Sequence, residues 1–316
     1  MPRLRTIMAA VLLAATVGST SAAAGHAVEY AAPRAMPELS AATLDARFEA
    51  ARREIARALA TARRFHDEDR VRVLSSFLRG GRRFLAFDPR GDGKAVEVIG
   101  DLRRADRVAV VVPGADNELT TFDEEKFAGS DGRALYRQAR AAAPGTRLAV
   151  VAWLGYDAPS LLSPGALRTD AARTGARALH RFVTGVHRVS PHARFALLCH
   201  SYGSVVCVKA ARPLASLPVD DIALYGSPGT TADDVAAIGT PARVWAGRSK
   251  GDWVRLVPDV RVAGVGFGPD PVSPDFGAMR FDAGSGFHSG YFSPGSPSLR
   301  NLALIATGHS TKVTRA

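Results

Sequence analysis

Arg194-Phe-Ala-Leu-Leu-Cys-His-Ser-Tyr-Gly-Ser204 runs directly into Val205-Val-Cys-Val-Lys-Ala-Ala211, and Pro213 follows. The apolar run Phe195 to Leu198 reads as a buried strand, and the stretch after Ser204 reads as a helix that Pro213 stops. Small and polar residues fill the turn between them. Within that turn, Cys199-His-Ser-Tyr-Gly203 is Gly-x-Ser-x-Gly with its first glycine replaced by cysteine. A serine at such a sharp strand-to-helix turn has a strained backbone, so it needs small residues two positions to either side. Gly203 meets that need, and Cys199 is larger than glycine but still small. Eleven residues alone would also suit an ordinary Gly/Ser-rich turn, so the surrounding chain has to supply the context.

Working outward, four further apolar runs each end on a loop. They are Arg107-Val-Ala-Val-Val-Val-Pro-Gly114, Leu148-Ala-Val-Val-Ala-Trp153, Ile222-Ala-Leu-Tyr225 and Ala242-Arg-Val-Trp-Ala246. Unbroken apolar runs suit strands covered on both faces. Helical patterns lie between or after them, near Arg133 to Ala142, Leu167 to Val189 and Leu299 to Ala306. This alternation predicts a mostly parallel α/β sheet with helices on both faces. Ser201, Gly114, Gly226 and Gly247 each follow a strand, so they should share the carboxyl edge, where ligands bind in such sheets. Ahead of this core, Phe84 to Phe87 and Ala95 to Ile99 flank the turn Asp88-Pro-Arg-Gly-Asp-Gly93 and predict an antiparallel hairpin.

The organisation expected from these patterns has four parts. Residues 1–24 read as a secretory leader: Arg3 and Arg5, then an apolar stretch from Ile7 to Val17, then small residues. Residues 25–39 read as a flexible arm. Residues 40–80 read as a helical prelude, with Ser40 as the expected N-cap, a stripe of Leu44, Phe48, Ala51, Ile55 and Leu59, and a second helix near Arg70 to Leu78. The prelude either packs on the main domain or forms a lid. Residues 81–316 form the main domain.

A serine hydroxyl is a weak nucleophile until a base takes its proton, and that base needs an orienting acid. After Ser201 only His288 and His309 remain as bases. His288 sits in the Gly-rich loop Gly284-Ser-Gly-Phe-His-Ser-Gly290 and is the expected base; His309 is close to the end of the chain. Asp252 is the acidic residue of the loop Gly247-Arg-Ser-Lys-Gly-Asp-Trp253 and is the expected acid, with Asp282 the weaker alternative. The same Asp252 would also serve as a turn or cap residue ahead of Trp253. A developing oxyanion needs backbone donors. Tyr202, just after the serine, and Ala115, in the loop after the earlier strand, are the expected pair. His200 is read as structural.

The chain has 316 residues and a net charge of +11, with 41 Lys+Arg against 30 Asp+Glu. Its arginines are spread along helices, as at Arg173, Arg177, Arg181 and Arg188, and not interleaved with aromatics, which argues against nucleic acid and for a solvated surface. Cys199 and Cys207, the two cysteines, are expected as buried free thiols beside the turn. No Cys-x-x-Cys or His-x-x-x-His spacing suggests a metal, and no cofactor is expected.

Taken together, Phe87-Asp-Pro-Arg-Gly-Asp-Gly93, Val111-Val-Pro-Gly-Ala115, Ala152-Trp-Leu-Gly-Tyr-Asp-Ala-Pro159, His200-Ser-Tyr-Gly-Ser204, Tyr225-Gly-Ser-Pro-Gly229 and His288-Ser-Gly-Tyr-Phe292 carry a resemblance. The chain resembles the serine α/β-hydrolase superfamily, in a bacterial and often secreted branch catalogued as a domain of unknown function. The resemblance covers about residues 80–310. It implies the α/β-hydrolase fold, a nucleophile at Ser201 and a base at His288; Asp252 carries over less directly because its loop varies. The expected activity is hydrolysis of a carboxylic ester, with a small-molecule or lipid ester as substrate and peripheral association with the cell envelope. Amide or thioester cleavage on the same residues is the alternative within the class. A non-catalytic envelope-binding protein on the same scaffold is the alternative outside it.

Overall fold

Every position of β3 (Arg107–Val112) is buried. In the computed structural model, which describes residues 28–261 and 266–316, this strand is the centre of the sheet. Val108, Val110 and Val112 face one layer, and Ala109 and Val111 face the other. That two-sided burial is why the sequence shows no polar alternation here. The leader expected over residues 1–24 lies outside the described residues.

β3 pairs in parallel with β4 (Leu148–Leu154) on one side and with β5 (Arg194–His200) on the other. β6 (Val219–Tyr225), β7 (Arg243–Gly247) and the short β8 (Met279–Arg280) continue the sheet in parallel beyond β5. On the far side β2 (Lys94–Ile99) joins β4 antiparallel, and β1 (Arg83–Asp88) joins β2 as the predicted hairpin. The full order is β1-β2-β4-β3-β5-β6-β7-β8. The chain steps from β3 to one side and then returns past it, so the segments leaving β3 and β5 lead to helices on opposite faces of the sheet. Such a switch point opens a crevice at the carboxyl edge.

One face of the sheet is covered by α4 (Asp170–Val189) and α5 (Gly203–Ala211), the other by α3 (Ala128–Ala142) and α7 (Pro297–Ala306). Ala172, Ala176, Leu179, Val183 and Val186 form the buried stripe of α4. Their spacing of three and four is what fixes that helix on the sheet. A short helix, α6 (Val235–Ile238), precedes β7. This is the α/β-hydrolase fold that the resemblance implies.

The prelude forms α1 (Leu44–Arg64) and α2 (Glu68–Phe77). Ala51, Ile55, Val73 and Phe77 share a core with Phe84, Phe87 and Phe122, so the pair docks on the antiparallel end of the sheet. Arg47 Nε donates to the Leu85 carbonyl at 2.7 Å and ties α1 to β1. α1 starts later than its expected cap: Ser40 and Thr43 bond to each other in a turn, and Thr43 precedes the first helical turn. α2 is capped by Asp67, whose side chain accepts from the Arg70 N–H. The arm expected to be flexible over 25–39 is irregular but held from residue 28 onward. Tyr30 and Leu39 are buried, and the Tyr30 hydroxyl donates to Asp67 at 2.8 Å.

The expectation of two free thiols is corrected. Cys199 and Cys207 form a disulfide, with Cα atoms 6.4 Å apart. The geometry follows from the turn. From Gly203 to Cys207 the helix climbs about 6 Å, and from Ser201 back to Cys199 the strand runs about 6.6 Å. Because α5 folds back over β5, the two side chains meet.

Candidate active site

The turn after β5 places Ser201 at φ +50°, in the left-handed region that residues with a Cβ rarely occupy. Two glycines make this possible. A Cβ on Gly203 would stand 2.6 Å from the Pro113 carbonyl oxygen and 2.7 Å from that of Val112. A Cβ on Gly114 would stand 2.7 Å from Ser201 Cβ. The loops leaving β3 and β5 are therefore in contact at the serine. Cys199, where the motif has glycine, turns its side chain into the α4/α5 layer and into the disulfide. That orientation accommodates a residue larger than glycine.

The loop after β8 brings His288 to Ser201, and the loop after β7 brings Asp252 to His288. His288 Nε2 lies 3.0 Å from Ser201 Oγ. His288 Nδ1 lies 2.9 and 3.1 Å from the two carboxylate oxygens of Asp252. With Nδ1–H donated to the carboxylate, Nε2 carries the lone pair and accepts from the serine hydroxyl. All three are buried: Asp252 is 0 % exposed, Ser201 5 % and His288 8 %. The sequence reading named these three residues, and the fold brings them into one hydrogen-bonded chain.

Asp252 has both of the uses open to it in the sequence. Its Oδ1 accepts from the Val254 N–H at 2.8 Å and caps the 3-10 turn Trp253–Leu256. Tyr291 donates to Oδ2 at 2.5 Å, and the Tyr291 hydroxyl in turn accepts from the Ser249 N–H at 3.2 Å. Burial pushes the Asp252 carboxyl up, but the bonds from His288, Tyr291 and Val254 push it further down, so it sits below the ordinary carboxylate value. The alternative acid, Asp282, lies in its own turn, where it accepts from the Gly284 N–H at 2.8 Å. His309 bonds to Thr307 and takes no part.

His200 acts on the position of His288. Its Nε2 donates to the His288 carbonyl at 2.8 Å, and the two rings lie 4.7 Å apart. Burial first, and the neighbouring His288 second, push its pKa down to about 3. It is therefore a neutral prop behind the His288 loop, consistent with a structural reading. The Trp253 ring lies 4.8 Å from the His288 ring on another side.

The expected oxyanion donors lie on the two loops that meet at Ser201. Ala115 follows Gly114, and Tyr202 opens α5. Neither N–H has an acceptor among the described residues. Asn117 steadies the Ala115 loop by donating to the Ala115 carbonyl at 3.2 Å, and Tyr156 does so by donating to that of Pro113 at 2.8 Å. The Tyr202 side chain caps α4: its hydroxyl accepts from the Ala172 N–H and donates to the Arg168 carbonyl.

Sequence reasoning missed Tyr291, Asn117 and Tyr156 as parts of the site. Tyr291 stands three residues after His288, and Asn117 stands just past Ala115. Those spacings are signals, but only for a reader who already has the base and the donor loop. Leu161, Leu162 and Leu167 after β4, Trp253, Leu256 and Val260 after β7, and Phe287 beside His288 are exposed apolar side chains. They lie on segments that follow strands at the edge that carries Ser201.

Comparison with known proteins gives the following. A family model described as alpha/beta hydrolase matches residues 88–262. The chain is 33 % identical over 260 residues to the uncharacterized protein Rv2079 of Mycobacterium tuberculosis, covering 71 % of this chain and 39 % of that protein. It is 36 % identical over 160 residues to the uncharacterized protein Rv0963c of the same species, covering 49 % of this chain and 59 % of that protein. The chain thus spans about two fifths of the first of these relatives and about three fifths of the second. Among solved structures, esterase LipW from Mycobacterium marinum matches with a TM-score of 0.42 and 15 % identity, covering 81 % of this chain and 90 % of that one.

Proposed function

The chain belongs to the alpha/beta hydrolase family, and from that premise we propose that it is a serine hydrolase that cleaves carboxylic esters outside the cytoplasm. The observation that carries the reading is the buried hydrogen-bonded chain Ser201–His288–Asp252 at the carboxyl edge of the sheet.

In this reading Ser201 Oγ attacks the ester carbonyl carbon while its proton passes to His288 Nε2. Asp252 holds Nδ1–H and balances the imidazolium charge. The N–H groups of Tyr202 and Ala115 donate to the carbonyl oxygen as it becomes an oxyanion. The tetrahedral intermediate collapses, the alcohol leaves with the proton from His288, and the acyl group remains on Ser201. Water then attacks the acyl-enzyme by the same route: His288 takes its proton and returns it to Ser201, and the carboxylic acid is released. No step needs a cofactor.

The exposed apolar side chains on the segments that follow strands at this edge support an apolar acyl group, as in a lipid or other hydrophobic ester. The disulfide Cys199–Cys207 supports an oxidising compartment, and so agrees with the leader read from the sequence.

The test is labelling with a fluorophosphonate probe, run on the parent, Ser201→Ala and His288→Ala. The parent should label, Ser201→Ala should not, and His288→Ala should label at a small fraction of the parent rate. An unlabelled but folded parent overturns the reading. A panel of acyl esters, thioesters and anilides of increasing chain length then decides the bond and the acyl preference.

A further inference from the structure

The arginines that look scattered in the sequence converge in the fold. Arg173, Arg177 and Arg181 recur every fourth residue of α4 and so lie along one line of its surface. Together with His180 of α4, and with Lys209 and Pro213 at the end of α5, they line a groove of about 540 Å³. None of the groove residues belongs to the Ser201 site, and none is acidic.

What distinguishes these cations is that they share one groove without an acid in its lining. The buried arginine clusters of the fold, by contrast, are neutralised: Arg107 bonds Asp220 and Asp221, Arg243 bonds Asp221, and Arg82 bonds Glu97 and Asp123. Arg173, Arg177, Arg181 and Lys209 have no carboxylate within 4.0 Å among the described residues. Lys209 is half-buried at the groove and uses one donor, to Thr231 Oγ1 at 3.1 Å. Burial, and then the charges of Arg173 and Arg261, disfavour its ammonium form. Like charges are therefore held together at a cost that a bound anion would relieve.

We propose that this groove is a binding site for a phosphate group, either free or as the head of an anionic glycerophospholipid. A carboxylate offers two oxygens and a single charge. Three guanidinium groups and an ammonium call for more: free phosphate and its monoesters carry further terminal oxygens and up to two charges, and the singly charged diester of a lipid head still sets four oxygens around one phosphorus. Each guanidinium fork can hold two oxygens of such a group, while Lys209 serves as a point charge between them. The groove is also larger than a phosphate alone, which leaves room for the organic part of an ester.

The test measures binding at constant ionic strength, with chloride replaced by inorganic phosphate in one arm and with phosphatidylglycerol/phosphatidylcholine vesicles in the other. Thermal unfolding reads the first arm and co-sedimentation the second. Saturable stabilisation by inorganic phosphate, or sedimentation that needs phosphatidylglycerol, is expected, and the arm that responds identifies the source. Each of Lys209→Gln and the double variant Arg173→Gln/Arg177→Gln should weaken binding at least about tenfold, the value of one lost charge-assisted contact. Arg53→Gln, an exposed charge on α1, should change it less than about twofold. Ser201→Ala should bind like the parent, which separates this proposal from the hydrolase reading. The exposed arginine pair carries the test if Lys209→Gln does not fold. A parent that responds in neither arm, or groove variants that behave like Arg53→Gln, overturns the proposal and leaves these arginines as solvated charges.

Discussion

Asp252→Asn tests the proposed chemistry most directly, because the bonds to this side chain leave an amide no satisfactory orientation. The carboxylate accepts His288 Nδ1–H at both oxygens, the Val254 N–H at Oδ1 and the Tyr291 hydroxyl at Oδ2. If the amide oxygen takes the Oδ1 place, His288 keeps its tautomer, but the amide N–H₂ faces the Tyr291 hydroxyl and displaces its proton. If the amide is reversed, N–H₂ faces both Nδ1 and the Val254 N–H. His288 must then move its proton to Nε2, which donates to Ser201 and cannot act as a base. In either orientation the negative charge opposite the imidazolium is gone. A charge pair about 4 Å apart at an effective dielectric of 20 is worth about 4 kcal/mol, which corresponds to about a thousandfold in rate. We therefore expect kcat/KM on a short-chain nitrophenyl ester to fall about a thousandfold, and about ten thousandfold if the tautomer reverses, as in the serine-protease precedent. Circular dichroism confirms folding, and Asp282→Asn is the control that should leave kcat/KM unchanged. A folded Asp252→Asn variant within tenfold of the parent would refute the assignment of the acid.

Three further outcomes follow from the packing. Replacing both Cys199 and Cys207 by Ala removes a cross-link over eight residues and should cost about 2.5 kcal/mol in a urea titration; an unchanged midpoint would show that the bond does not constrain the unfolded chain. Asp221 is fully buried and accepts from Arg107, Arg243 and Trp245, so Asp221→Ala removes three charge-assisted bonds while Arg107 keeps Asp220, and it should cost about 1.5–3 kcal/mol, whereas a loss below about 1 kcal/mol would mean that water replaces the carboxylate. Burial pushes the carboxyls of Asp252, Asp123 and Asp220 up, but their hydrogen bonds and ion pairs push them further down, so all three sit below the ordinary value. A lowered folded-state pKa stabilises the protein above the unfolded value, and that stabilisation is lost as the pH falls through the folded value. The urea midpoint should therefore decline steeply from about pH 4 downward; a midpoint flat to pH 2 would contradict the three shifts.

The secondary structure was legible in the sequence because it depends on local periodicity. Val108 to Val112 and Phe195 to Leu198 read as two-sided strands because no polar residue interrupts them, and the structure covers both faces. The candidate site was legible for a different reason. Chain order and strand ends place Ser201, Asp252 and His288 on loops at one edge of a parallel sheet, and few residues compete for each role. What lies opposite in space was not legible. A separation of eight residues between Cys199 and Cys207 does not reveal that α5 folds back over β5 and joins them, and nothing near Tyr30 in sequence announces Asp67 as its partner.

The sequence by itself determined the elements, their mostly parallel order, the strained serine and the residues able to serve it. Tertiary structure alone decided which side chains steady that serine and where charge collects. Tyr291 meets Asp252 across 39 residues and His200 meets His288 across 88. Asp221 gathers Arg107 and Arg243 at the far edge, while Arg173, Arg177 and Arg181 line one groove with Lys209 of the next helix and no acid lines it with them. The physical reason is that periodicity is written along the chain over a few residues. Hydrogen bonds, ion pairs and unbalanced charge act over a few ångströms of space, and only the folded chain sets those distances.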